Sequence, residues 1–109
     1  MSAPLLVVTN APDRETAMRI ANALVERKLA ACVNVLAECT SVYRWKGAIE
    51  TTAEVPMLIK TRAANYDEVE STIKSLHPYE LPEVIAVAIE RGLPEYLEWI
   101  ATQTVTDIG

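Results

Sequence analysis

His77 is the single histidine of the chain, and it opens the run His77-Pro78-Tyr79-Glu80-Leu81-Pro82-Glu83. An imidazole beside Glu80 and Glu83 is a donor set suited to a borderline divalent cation such as Cu(II). The same histidine also fits a plainer role as a hydrogen-bonding group at a helix end, because Pro78 pushes the residue before it out of the α region. Cys32 and Cys39 add thiolate potential, with Cys32 retained as a candidate metal ligand. Their spacing forms no C-x-x-C pair, and small buried cysteines pack well in cores. On one unbroken strand they would face opposite sides. Tyr43, Arg44, Trp45 and Lys46 precede Gly47 as an aromatic and basic cluster, suited to stacking on a planar ligand or to an interface with another subunit. Lys60 and Arg62 alternate along an apolar run, so they share a face. They could receive an anion or form a salt-bridged rim with Glu54, Glu80 or Glu83.

Several chemistries are excluded by what surrounds these groups. The only glycines are Gly47, Gly92 and Gly109, so no loop can cradle a phosphate, and an acylphosphatase-type enzyme lacks the element it needs. One histidine meets no nucleophile in an assembled triad, and no enzymatic activity is expected. Ten basic against fifteen acidic residues give a net charge of −5, and there is no phenylalanine, so nucleic acid is not an expected partner. No apolar run approaches the ~18 residues needed to cross a bilayer, and no signal-peptide pattern opens the chain. The reading is a soluble, cytoplasmic protein without a membrane partner.

The elements that must position these residues follow from periodicity. Leu5–Asn10 is an apolar, β-rich run broken by Ala11-Pro12-Asp13. Asp13 can cap a helix in which Ala17, Ile20, Ala21, Leu24 and Val25 form one stripe, with Arg27 and Lys28 at its C-terminus. Ala31–Lys46 favours extension but loses alternation around Ala37-Glu38-Cys39, where a bulge or bend is expected. Lys46-Gly47 is the best turn, and the strand returns through Ala48–Thr61 as a long hairpin in which Pro56 argues for an edge position or an irregularity. Tyr66, Val69, Ile73 and Leu76 give a second helix over Ala63–Leu76, followed by a strand over Val84–Ile89. A short helix over Pro94–Gln103 would dock through Tyr96, Leu97, Trp99 and Ile100. The expected fold is α+β, a ferredoxin-like βαββαβ sandwich with a long central hairpin and a short C-terminal helix, one domain over residues 1–109. The first and last strands read as continuously apolar, a pattern of burial on both faces. The C-terminal helix covers only part of the second face, so a homo-oligomer is expected.

Ala11-Pro12-Asp13, Leu29-Ala30-Ala31-Cys32-Val33-Asn34, Thr40–Gly47, Leu58-Ile59-Lys60-Thr61, His77–Glu83 and Tyr96-Leu97-Glu98-Trp99 together resemble the CutA divalent-cation tolerance proteins. The motifs run in order from about Val7 to Ile100. The resemblance implies a tight trimer with the hairpin crossing between neighbours, tolerance to copper and other divalent metals, binding of Cu(II), and no catalytic activity. The family trimer is also similar to that of the PII signalling proteins, which hold small effectors in clefts between subunits. Here that alternative would use Tyr43, Trp45, Lys60, Tyr79 and Glu83 as a small-molecule sensor. Where copper ligands are assigned in the family, they are a cysteine late in the first strand and two adjacent histidines before the Pro-Tyr pair. These positions read Thr9 and Leu76-His77 here, so only His77 is kept. Cys32 matches a widespread family cysteine. One imidazole plus carboxylates implies weak binding of Cu(II) or a similar cation.

Overall fold

The computed structural model describes residues 2–104. Residues 1 and 105–109, the two ends of the expected domain, lie outside them. The elements are β1 (Pro4–Ala11), α1 (Arg14–Glu26), β2 (Cys32–Val35), β3 (Cys39–Trp45), β4 (Ala48–Arg62), a 3-10 turn (Ala63–Asn65), α2 (Tyr66–Leu76), β5 (Val84–Ala88) and α3 (Pro94–Thr102). This is a mixed α+β fold with one antiparallel sheet in the order β2-β4-β1-β5, and β3 pairs with the far half of β4.

Helix α1 starts where Asp13, in extended backbone, accepts a 2.7 Å hydrogen bond from the Thr16 amide. It ends with Lys28 at φ 59°, where the Lys28 and Leu29 amides return to the Val25 and Leu24 carbonyls in a Schellman closure. Ala17, Ile20, Ala21 and Leu24 are buried against the sheet, whereas Val25, expected in the same stripe, stays 44% exposed at its margin. Val69 and Ile73 of α2 complete a core with Val7, Ala11, Val55, Met57 and Ile59. Each large aliphatic buried there stabilises the fold by about 1.5–3 kcal/mol.

The expected break in the extended stretch separates β2 from β3. From Val35 to Cys39 the chain takes four steps while β4 takes three from Met57 to Glu54. That extra residue reverses the parity, so Cys32 and Cys39 lie on the same face rather than on opposite ones. Pro56 sits in an interior strand, opposite this break. Its carbonyl accepts from the Leu36 amide, and its missing N–H points into the gap between β2 and β3, so the ladder loses nothing. Of the two readings of Pro56, the irregularity holds and the edge position does not.

Val7, Thr9 and Ala11 face the helices. Leu6, Val8, Leu58, Ile85 and Val87 share the other face by register. Helix α3 packs there through Ile100, which is fully buried, but Tyr96 and Trp99 are only partly docked. Ile85 and Val87 are more than half exposed, so the chain alone does not supply the two-sided burial that β5 reads for.

Candidate functional site

A cavity of about 630 Å³ opens where the base of the hairpin meets the segment leading into β5. One wall is β3, with Ser41, Tyr43 and Trp45 at alternate positions. Glu54 of β4 and Asn10 of β1 form the floor, and Tyr79, Glu80, Leu81 and Glu83 form the facing wall. Its volume falls in the range of small-molecule sites.

Most of these walls are pinned. His77 ends α2 in extended backbone, as a residue before proline must, and is 93% buried. Its Nδ1 accepts from the Tyr79 amide at 3.2 Å, which leaves the proton on Nε2 to be donated to the Asn10 carbonyl at 2.6 Å. The imidazole ring packs on Tyr79 with centroids 4.6 Å apart. The Glu83 carbonyl accepts from the buried Thr9 hydroxyl at 2.6 Å, and its carboxylate accepts from the Asn10 amide at 2.8 Å. Across the cavity the Tyr43 and Thr52 hydroxyls share a 2.9 Å hydrogen bond. The Tyr79 phenol is held above its ordinary pKa, first by burial and then by the facing Glu54 carboxylate. Glu54 is only 8% exposed. At the rim, the Lys46 ammonium lies 3.7 Å from Glu80 and 5.5 Å from the Trp45 ring centroid.

The fold therefore gathers Tyr43, Trp45, Tyr79, Glu80 and Glu83 at one cavity with His77 behind it. Two candidates lie elsewhere in the chain. Lys60 does not line this cleft: it stands six residues along β4 from Glu54, roughly 20 Å away, and donates to the Asn34 side chain rather than to a glutamate. Cys32 is its cross-strand partner and lies beside Tyr96 of α3, apart from His77. Arg62 shares the face of Lys60 but is buried, donating through Nε to the Thr104 hydroxyl at 2.6 Å.

Among the described residues, no three His, Cys, Asp or Glu side chains gather closely enough to hold a metal ion. His77 has both ring nitrogens engaged, so a cation could use it only by displacing one of those bonds. Two site residues escape the sequence reading in this role. Asn10 reads as the end of a strand, and Glu54 as a rim charge. Only the β1–β4 register, which sets Asn10 opposite Pro56, brings them together.

Comparison with known proteins places residues 5–103 within the family model described as CutA1 divalent ion tolerance protein. Mouse Protein CutA is 45% identical over 100 residues, covering 90% of this chain and 56% of the mouse protein. This chain thus spans a little over half the length of that relative. The divalent-cation tolerance protein CutA of Thermus thermophilus is 41% identical over 99 residues, covering 91% of this chain and 96% of its own. The crystal structure of CutA from Xylella fastidiosa superposes with a TM-score of 0.92 at 46% identity, covering 95% of this chain and all of the other.

Proposed function

Starting from the fact that the chain belongs to the CutA1 divalent ion tolerance family, we propose that it serves divalent-cation tolerance by weakly binding Cu(II) or a similar cation as a cytoplasmic homotrimer. Beyond the family itself, what supports this reading is that Glu80 and Glu83 share the wall that holds Tyr79, whose ring packs on His77, although the three donors do not close into a chelating group within the single chain. Carboxylates with one imidazole suit a borderline cation. Weakness follows from the engaged imidazole: recruiting it breaks a hydrogen bond worth about 1 kcal/mol, before any cost of rearranging its neighbours. Cys32 joins such a set only if another copy of the chain brings it there.

The open sheet face supports assembly. Ile85, Val87, Leu93 and Trp99 are all exposed in the single chain. Apolar surface of this kind marks interaction sites. Cys32 and Cys39 are free thiols, which fits a reducing compartment. Among the described residues no helix is long and apolar enough to cross a membrane.

Anaerobic titration of Cu(II) against a competing chelator, with light scattering on the same samples, tests the reading. Saturable binding by a trimer, lost in His77→Ala and weakened in Glu80→Gln, is the expected result. Glu80 is exposed, so its variant keeps the fold. Unchanged affinity in both variants would remove this site.

A further inference from the structure

Three carboxylates line the cavity against one guanidinium, and the one that is deeply buried is Glu54. Glu54 is only 8% exposed, yet among the described residues neither it nor Glu83 takes part in an ion pair. Each meets one neutral group, the Tyr79 phenol for Glu54 and the Asn10 amide for Glu83. A carboxylate offers about four acceptor sites, so both keep unused capacity facing the cavity. A charge left in such a place is stabilised best by a charged donor.

The rest of the wall is aromatic. Tyr43 is anchored through its hydroxyl to Thr52, and Tyr79 by its contact with His77. Trp45 shows what this wall attracts, since the chain's own Lys46 ammonium sits between its ring and the Glu80 carboxylate. That is the arrangement by which aromatic and acidic groups hold a cation. Lys46 reaches only the rim and leaves the buried Glu54 and the exposed Glu83 to something else. Arg44 is the only cation among the lining residues, and it stands on β3 out of phase with Tyr43 and Trp45.

We propose that this cleft is a binding site for a small organic ammonium ion, whose N–H groups meet Glu54 and Glu83 while its apolar body lies between Tyr43, Trp45 and Tyr79. This goes beyond the divalent-cation reading and uses different chemistry. A primary ammonium fits better than a quaternary one because the carboxylates need N–H donors. A bare metal ion would leave the aromatic wall without a role.

Three probes with the same ring and different charge separate the possibilities: phenethylamine, 2-phenylethanol and phenylacetate. Each is titrated into the full chain with EDTA present, followed by Trp fluorescence and NMR shifts up to about 10 mM, a range suited to so small a ligand. The expected result is saturable binding of phenethylamine, roughly tenfold or more tighter than 2-phenylethanol, and no binding of phenylacetate. Glu54→Gln should weaken phenethylamine by a similar factor while 2-phenylethanol is unaffected. Glu83→Gln, at an exposed position, gives the same comparison should Glu54→Gln fail to fold. Equal binding of all three probes, preference for phenylacetate, or no saturable phenethylamine binding would overturn the proposal. Because EDTA removes free metal, none of these outcomes bears on Cu(II) binding, which the chelator titration reads separately.

Discussion

Thr9→Val removes one hydroxyl and keeps the shape. Thr9 is fully buried, and its hydroxyl donates a 2.6 Å bond to the Glu83 carbonyl, tying the end of β1 to the segment that forms the acidic wall. The isosteric methyl fills the same space, so no cavity forms and no volume is lost. What remains is a carbonyl stripped of its donor, which costs about 1–3 kcal/mol when water cannot replace the bond. For a chain of this size a loss of ~2 kcal/mol lowers Tm by roughly 8–16 °C. Thermal unfolding by circular dichroism, at a fixed protomer concentration because association contributes to apparent stability, measures it. Amide exchange near Glu83 should quicken in step. A Tm within about 2 °C of the parent, below the smallest cost this argument allows, would show that the Thr9 hydroxyl does not hold the wall.

Two further outcomes follow from the same geometry. Tyr79 has its pKa raised by burial and by Glu54, so the folded state keeps its phenolic proton longer than the unfolded chain does. Stability then falls as pH rises from the ordinary value of 10.0 through the folded value, and Tyr79→Phe should flatten that alkaline loss in denaturant titrations at pH 9 and above. Gly47 lies at φ +82° in a two-residue turn with Lys46 at φ 49°, and among the described residues none besides its two chain neighbours comes within 4 Å of where a Cβ would stand. Gly47→Ala therefore meets no clash, and its cost is the left-handed backbone alone, about 1 kcal/mol by urea unfolding.

The helices are legible in the sequence because α1 repeats buried residues every three or four positions and carries its cap at Asp13, both local signals. The hairpin is legible through Lys46-Gly47, and the β2–β3 break through failed alternation at Ala37-Glu38-Cys39. Long-range register is not. The extra residue opposite Pro56 decides that Cys32 and Cys39 share a face, and no local pattern encodes it. Lys60 reads as a cleft residue because charged and aromatic groups cluster at the expected strand ends, but its cross-strand partner belongs to β2 and that of Glu54 to β3, on either side of the break. The floor of the site is hidden for the same reason: Asn10 and Glu54 are distant in sequence, and neither carries a motif.

Strand β4 is the one element shared by the sheet and the hairpin arm, and its 15 residues run roughly 46 Å, close to the molecule's 44 Å length. Beyond Val55 only β3 accompanies it among the described residues, and two-stranded ribbons twist more readily than wide sheets. One wall of the cleft rides on that ribbon while the other belongs to the body. The aperture of the site is thus a torsional coordinate, with its pivot at the proline where the ladder changes partners. Substitutions along the ribbon, remote from any ligand, would tune the aperture by altering the arm's resting twist.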